Sequence, residues 1–454
     1  MEEKMRRDPP IFYDHKIETM SRNDLDALQL TRLKWQVDRC YRRSDFYRER
    51  FDAAGVSATD IKTVDDIRKF PFVQKEELRE EQAQHPFLGR FTVAPEAAFR
   101  EVHPSTGTTG TPVNTIWGAT DVQYITEVTA RTLWSIGVRP GDVLQNAFAY
   151  GLWVAGLAVH YAGAKIGCLV IPIGAALTER QIDYMVRLKS TVLVATPSYA
   201  IYLAEQLKAH NYSISDINLR IGCFGGEPGT EVPATRRTIE SGLGIDAYDY
   251  YGLAEIGPTF ASECTYKAGL HWSEDLHLIE VIDPETQEPV PEGEVGVLVI
   301  THLERRATPM IRYWTNDLVR LDRSPCPCGR THARSPEGIL GRADDMIVFM
   351  GVNFYPIQVE QVVRSFEELS PEYRIRLTHD TSTHRDICTI SVELEQKKML
   401  QEQVSILQVR TANALREALG FRPVVEFVDQ GSLERTEFKA KRVIEERPAF
   451  AKKL

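Results

Sequence analysis

At 454 residues, 43% hydrophobic and 26% charged, the chain is too long for one core and ordinary in composition, so two or three globular domains are expected. Its 54 basic and 64 acidic residues leave a net charge of −10, which argues against nucleic acid as a partner while permitting a local anion pocket. No run approaches the roughly 18 apolar residues of a membrane span, and no signal-peptide core follows the charged Met1–Asp8, so a cytoplasmic protein without membrane attachment is expected. In that compartment the seven cysteines stay reduced.

From Ile17 to about Glu80 the chain reads as helical, with Leu30, Leu33, Val37 and Tyr41 forming one apolar stripe. Thr63 caps a short helix that Phe70-Pro71-Phe72 breaks, and nothing in this region carries chemistry. Ser105-Thr106-Gly107-Thr108-Thr109-Gly110-Thr111-Pro112 follows. Its glycines permit positive φ, its hydroxyls donate, and successive N–H groups can line a concavity for an anion. It is not a Walker A loop, because no lysine follows Gly110, and on composition alone a solvated turn is the better reading.

Beyond it, short apolar runs at Val143–Phe148, Cys168–Ile173, Val192–Ala195 and Arg220–Phe224 alternate with helix-length stretches, the pattern of βα units and a largely parallel sheet. Ligands in such sheets sit beyond the strands' carboxyl ends. The loops Ala149-Tyr150-Gly151, Thr196-Pro197-Ser198 and Gly225-Gly226-Glu227-Pro228 are therefore expected to converge on one site with the Ser105–Pro112 stretch. In Asp249-Tyr250-Tyr251-Gly252-Leu253-Ala254-Glu255 a tyrosine can stack on a purine and a carboxylate can ligate Mg²⁺, although taken singly an aromatic strand end with a solvated glutamate is the better reading.

Taken in order, Ser105–Pro112, Tyr251–Glu255, Asn316-Asp317, Gly341-Arg342-Ala343-Asp344-Asp345 and Lys439 resemble the core motifs of the adenylate-forming enzymes. Nearly the whole chain is similar to the phenylacetate-CoA ligase family. That narrower resemblance rests on Ile17–Arg22, Ala149–Leu152 running into His160-Tyr161, Thr196–Tyr199, Gly269–His271, Cys326–His332 and Gly351-Val352-Asn353. It implies an α/β fold: a large N-terminal domain, residues 1–343, with mainly parallel sheets flanked by helices, and a small, mobile α+β C-terminal domain, residues 344–454, turning about a hinge at Asp344. The sequence agrees, since Cys388, Ile390, Val392 and Leu394 alternate as a strand, Val404, Leu407, Leu415 and Leu419 suit a helix, and Val424–Val428 suggests another strand.

The resemblance also implies a two-step ligation that uses ATP, Mg²⁺ and coenzyme A, in which a small aromatic carboxylic acid is first adenylated and then passed to the thiol. Ser105, Thr106, Gly107, Thr108, Thr109, Gly110 and Thr111 would hold phosphates. Tyr251 would stack on adenine beside Gly226, Glu227 and Pro228, with Asp249, Tyr250 and Gly252 completing the nucleotide site. Asp317 and Arg342 would bind the ribose, Glu255 would ligate Mg²⁺, and Lys439 would reach the substrate carboxylate and the α-phosphate. Tyr150, Trp153 and Gly225 would form the acyl pocket, and Gly351, Val352 and Asn353 the coenzyme A tunnel. A homodimer would fit the family. Two other readings stand beside this one: an adenylating enzyme that passes the acyl group to a carrier protein or an amine, and a non-catalytic nucleotide-binding relative.

The pairs Cys264/His271 and Cys326/Cys328 leave open a closed, structural Zn²⁺ site or free buried cysteines, and some relatives carry such a site. His277, His302 and His332 are alternative fourth ligands. Against the family pattern, Thr111 stands where lysine is usual, Phe438 where glycine is usual, Phe349-Met350 replaces an apolar-Arg pair, and Asn316 precedes Asp317. These departures bear on rate and substrate more than on reaction class.

Overall fold

The fold is described from a computed structural model covering residues 11–86, 88–105, 111–175, 177–350, 352–380, 385–395, 399–433 and 442–447. Thr106–Gly110, Gly351, Phe438 and Lys439 lie outside the described residues. The chain divides into two compact units, one of 1–231, 236–315 and 319–339, the other of 232–235, 316–318 and 340–454.

In the first unit the N-terminal region is helical, chiefly Arg22–Arg43, Asp45–Ala54 and Lys75–Gln84. Ser21 and Ser44 cap the first two by accepting from Asp24 and Tyr47 N–H groups, and Leu33, Val37, Tyr47 and Phe51 are fully buried. The βα rhythm that follows builds five parallel strands in the order Leu169–Ile171, Val143–Asn146, Val192–Ala195, Ile221–Phe224 and Asp246–Leu253. Every residue of Val192–Ala195 and Ile221–Phe224 is buried, as expected of strands covered on both faces. Thr196 accepts from the Tyr199 N–H and Pro197 opens the next helix, so Thr-Pro-Ser turns the chain at a strand's carboxyl end.

The alternation then stops. Beyond Leu253 the sheet continues antiparallel through Gly257–Ser262, Leu270–Trp272 and Arg334–Ser335, and a smaller sheet begins with the antiparallel pair His277–Ile282 and Val295–His302. The sequence periodicity does not announce this change, because strands buried on both sides lose the alternation that marks a strand. Gly252 marks the reversal: a Cβ on it would lie 1.9 Å from the Pro258 carbonyl oxygen, so only glycine lets the backbones approach.

In the second unit, Val424–Val428, Arg385–Leu394, Leu369–Asp380 and Val443–Glu445 form a four-stranded sheet. The helices Pro356–Val363 and Gln401–Leu419 contribute Val359, Val363, Leu407 and Leu415 to a core shared with Ile375, Ile390 and Val392. No helix among the described residues is long and apolar enough to cross a membrane.

Gly252→Ala should cost roughly 3 kcal/mol, the upper end of overpacking penalties, and lower the urea midpoint; an unchanged midpoint would show that the turn opens freely.

Candidate functional site

In the first unit, Phe99–Pro104 and Asn114–Gly118 pair antiparallel, and the Ser/Thr/Gly stretch lies between them in sequence. Ser105 bonds across to Val113: its N–H donates to the Val113 carbonyl at 2.8 Å and its Oγ accepts from the Val113 N–H at 2.9 Å. The Thr111 carbonyl accepts from Arg79 Nε at 3.1 Å, so a cation stands beside the position where the family pattern has lysine.

The strand-end loops meet. Gly226, at φ 87°, has Trp153, Phe148 and Thr196 within 4 Å of where a Cβ would be, and Glu227 Oε1 accepts from the Ser198 N–H at 2.8 Å. A Cβ on Gly225 would come within 2.6 Å of the Tyr250 carbonyl, so glycine is required there as well. The Tyr150 hydroxyl accepts from Asn146 Nδ2 at 2.9 Å and lies 3.3 Å from His160 Nδ1; burial pushes its pKa up. Trp153 and Phe148 thus face the Gly226 backbone, while Tyr150 packs against Gly174 and His160.

The strand Asp246–Leu253 distributes its residues unequally. Tyr250 is buried, edge-on to Phe148, and its side chain belongs to the core. Tyr251 is half-buried, edge-on to Phe260 and Trp272. Asp249 is buried, and burial, followed by the charges of Glu231 and Glu263, raises its carboxyl well above the usual range. Glu255, 3% exposed, follows in the reversing turn. The Lys75 ammonium forms an ion pair with its Oε1 at 2.9 Å, and among the described residues that oxygen has no other polar partner. Lys75 is absent from the sequence candidates because its partner is 180 positions away and no local pattern marks it.

In the second unit Asp317 pairs in register with Arg342. The Arg342 guanidinium binds both Asp344 carboxylate oxygens, at 2.8 and 2.7 Å, and stands 3.4 Å from Asp317 Oδ1. Burial lowers its pKa, but Asp344 and Asp317 more than offset this, and the net shift is upward. Asn316 occupies the left-handed region at φ 65°, which asparagine tolerates, and its Nδ2 donates to Asp344 Oδ2 at 3.3 Å. Val352 and Asn353 lie on the strand Val352–Phe354, paired with Ile347–Phe349.

Cys264, His271, Cys326 and Cys328 are all buried, with their ligand atoms within 4.8 Å of one another. Cys264 Sγ is 3.9 Å from Cys326 Sγ, and Cys328 Sγ is 3.6 Å from His271 Nε2. Tetrahedral zinc with Zn–S and Zn–N bonds of about 2.3 and 2.0 Å spaces two sulfurs by about 3.8 Å and sulfur from nitrogen by about 3.5 Å, so the four residues fit that ion. The other histidines are engaged elsewhere: His332 sits between the Trp272 and Ile17 carbonyls, His302 between Ile256 and Met310, and His277 Nδ1 lies 3.3 Å from the Ser273 carbonyl. Cys40, Cys223 and Cys388 are buried in apolar clusters, where burial pushes their thiols up.

Comparison with known proteins places this geometry in a class. Residues 104–304 match the AMP-binding enzymes and residues 351–447 the AMP-binding enzyme C-terminal domain. The phenylacetate-coenzyme A ligase of Thermus thermophilus is 38% identical over 96% of this chain and 99% of its own length, and that of Escherichia coli 37% identical over 94% and 96%. A crystal structure of 2-hydroxyisobutyryl-CoA ligase, in its postadenylation state with the acyl-adenylate bound, superposes with a TM-score of 0.90 at 30% identity, covering 98% of this chain and 95% of that one. The chain belongs to the phenylacetate-CoA ligase family of the AMP-binding enzymes.

Protein purified without added zinc should carry about one Zn²⁺ per chain by elemental analysis, and Cys326→Ser should lose it. Undiminished zinc in that variant would exclude Cys326 as a ligand.

Proposed function

We propose that this chain is an AMP-forming acid–thiol ligase. It joins an aromatic or arylacetic acid to the α-phosphate of ATP, releases pyrophosphate, and transfers the acyl group from the adenylate to coenzyme A. The observation that carries this reading is near-full-length identity of 37–38% to phenylacetate-coenzyme A ligases.

A carboxylate is a poor electrophile, and adenylation converts its oxygen into a leaving group. The protein's contribution is positioning and charge stabilisation. In this reading the stretch from Ser105 to Thr111 cradles the phosphates, with Arg79 and Lys75 as nearby cations. Tyr251 offers a ring to adenine beside Gly226-Glu227-Pro228, while Asp249 and the Tyr250-Gly252 backbone line the nucleotide side. Tyr150, Trp153 and Gly225 shape an acyl pocket suited to an aryl group.

Glu255 offers a buried carboxylate to Mg²⁺: among the described residues its Oε1 has the Lys75 ammonium as its only polar neighbour, and the metal would displace that ammonium. When bound there, Mg²⁺ would neutralise charge on the phosphate oxygens. Asp317 and Arg342 serve the ribose, Asp344 acts as the hinge between domains of 1–343 and 344–454, Lys439 supplies the cation for adenylation, and Gly351-Val352-Asn353 borders the thiol's path. Cys264, His271, Cys326 and Cys328 hold a structural zinc that ties two segments of the chain together, 264–271 and 326–328. A small hydroxylated aliphatic acid is a second substrate reading, favoured by the superposition on 2-hydroxyisobutyryl-CoA ligase.

Pyrophosphate and AMP release from Mg-ATP, measured with arylacetic, aryl and 2-hydroxyisobutyric acids with and without coenzyme A, tests the reaction. Pyrophosphate with an arylacetic acid and AMP turnover that requires coenzyme A are expected; AMP release indifferent to coenzyme A would point to a carrier protein or an amine as acceptor, and silence with every acid would sink the ligase reading. Half-reactions separate the roles further. Lys439→Ala should abolish adenylation yet spare thioester formation from a supplied acyl-adenylate, and Asp344→Pro should impair one half-reaction; equal loss of both steps in the first, or normal rates of both in the second, would remove the assigned role.

A further inference from the structure

Glu255 sits in a three-residue turn, and the peptide groups on either side of it are held by side chains from elsewhere in the first unit. The Ala254 carbonyl accepts from Thr115 Oγ1 at 3.2 Å. On the other side, the Ile256 carbonyl faces His302 Nε2 at 2.8 Å, and His302 Nδ1 faces the Met310 N–H at 2.9 Å. A carbonyl can only accept and a peptide N–H can only donate, so these partners dictate one tautomer: Nε2 carries the proton and Nδ1 takes one from the backbone.

The Ile256 carbonyl would favour a second proton, but burial and the neighbouring charges outweigh it. His302 is 2% exposed, with His277 opposite it in register at 5.4 Å between centroids and Arg305 nearby; burial first and these neighbours second hold its pKa well below the ordinary histidine value. The imidazole is therefore a neutral bridge between the turn that bears Glu255 and the segment at Met310.

The turn is closed by the Ile256 N–H donating to the Leu253 carbonyl at 3.2 Å, and the Ile256 side chain is buried in the core, but space remains on the side of His302. Ile256, His277 and His302 line a cavity of about 40 Å³, mostly apolar, whose wall includes Gly257 and Pro258. A turn beside empty space can shift unless a directional contact restrains it. Magnesium ligation is sensitive to such a shift, because it demands near-ideal octahedral geometry at about 2.0–2.1 Å.

We propose that His302 is a positioning residue for Glu255: by tying the Ile256 carbonyl to Met310 across the cavity, it sets where the Glu255 carboxylate meets the metal. This rests on the reading of Glu255 as the Mg²⁺ ligand. His302 touches neither substrate nor metal and acts through the backbone of the turn.

The test is a Mg²⁺ titration of pyrophosphate release at fixed, saturating ATP and acid, comparing the native chain with His302→Phe, His302→Gln and Glu255→Gln. Phenylalanine keeps a ring in the space and removes both hydrogen bonds, whereas glutamine retains a donor and an acceptor. His302→Phe should raise the half-saturating Mg²⁺ concentration about tenfold, the lower end of what losing an outer partner costs in metal affinity, while leaving KM for the acid unchanged. His302→Gln should recover most of that loss. A merely structural histidine would lower the thermal midpoint without moving the Mg²⁺ dependence, and a folded His302→Phe with native Mg²⁺ dependence overturns the proposal. Should His302→Phe fail to fold, His302→Asn, too short to span both partners, takes its place under the same criterion. If Glu255→Gln itself leaves the Mg²⁺ dependence unchanged, the assignment of Glu255 falls and the role of His302 with it; if only Glu255→Gln shifts it, the positioning role alone is refuted.

Discussion

The reversal at Gly252 is the constraint on which the first unit depends. There the strand that closes the parallel sheet doubles back so tightly that the Gly252 Cα faces the Pro258 carbonyl with no room for a Cβ. The turn that results carries Glu255, and the strands on either side present Tyr251 to Phe260 and Trp272. One glycine thereby joins the parallel strands, whose end loops meet around Gly226, to the antiparallel strands that bring His271 into the four-residue cluster. A larger residue would push the parallel and antiparallel parts of the sheet apart, and no side-chain adjustment relieves a clash with backbone.

Charge is handled by the same economy in both units. Burying a carboxylate is costly unless a cation or hydrogen bonds accompany it. Glu255 meets this with Lys75, and Asp317 with Arg342, which also grips Asp344. Asp249 is treated differently. With Glu231 and Glu263 close by, its carboxyl is driven toward the neutral form.

Much of the architecture was legible because the βα rhythm is local. Short apolar runs bounded by Gly, Pro and Thr became the parallel strands Val143–Asn146, Leu169–Ile171, Val192–Ala195 and Ile221–Phe224 within a few residues of their expected limits, and the three strand-end loops do meet around Gly226. The antiparallel strands after Leu253 were not legible, since residues such as Gly257–Ser262 are buried on both faces and carry no alternation. Lys75 escaped notice for a different reason: its importance lies in a partner 180 positions away. Tyr250 and Tyr251, adjacent and identical in type, could be separated only by the pleat, which turns one into the core and leaves the other half-buried.

The local chemistry is written in the sequence: a hydroxyl- and glycine-rich stretch, thiols and imidazoles of suitable type, and an ordered set of motifs that identify the family. Tertiary structure alone decided which of these groups act on one another. It closed Cys264, His271, Cys326 and Cys328 to within 4.8 Å, put Lys75 against Glu255, and chose the tautomer of His302 by setting a carbonyl on one side and an N–H on the other. The reason is physical: propensity and periodicity report a residue's neighbours along the chain, while coordination, ion pairing and tautomer are set by distances across strands whose order in the sheet no local pattern encodes.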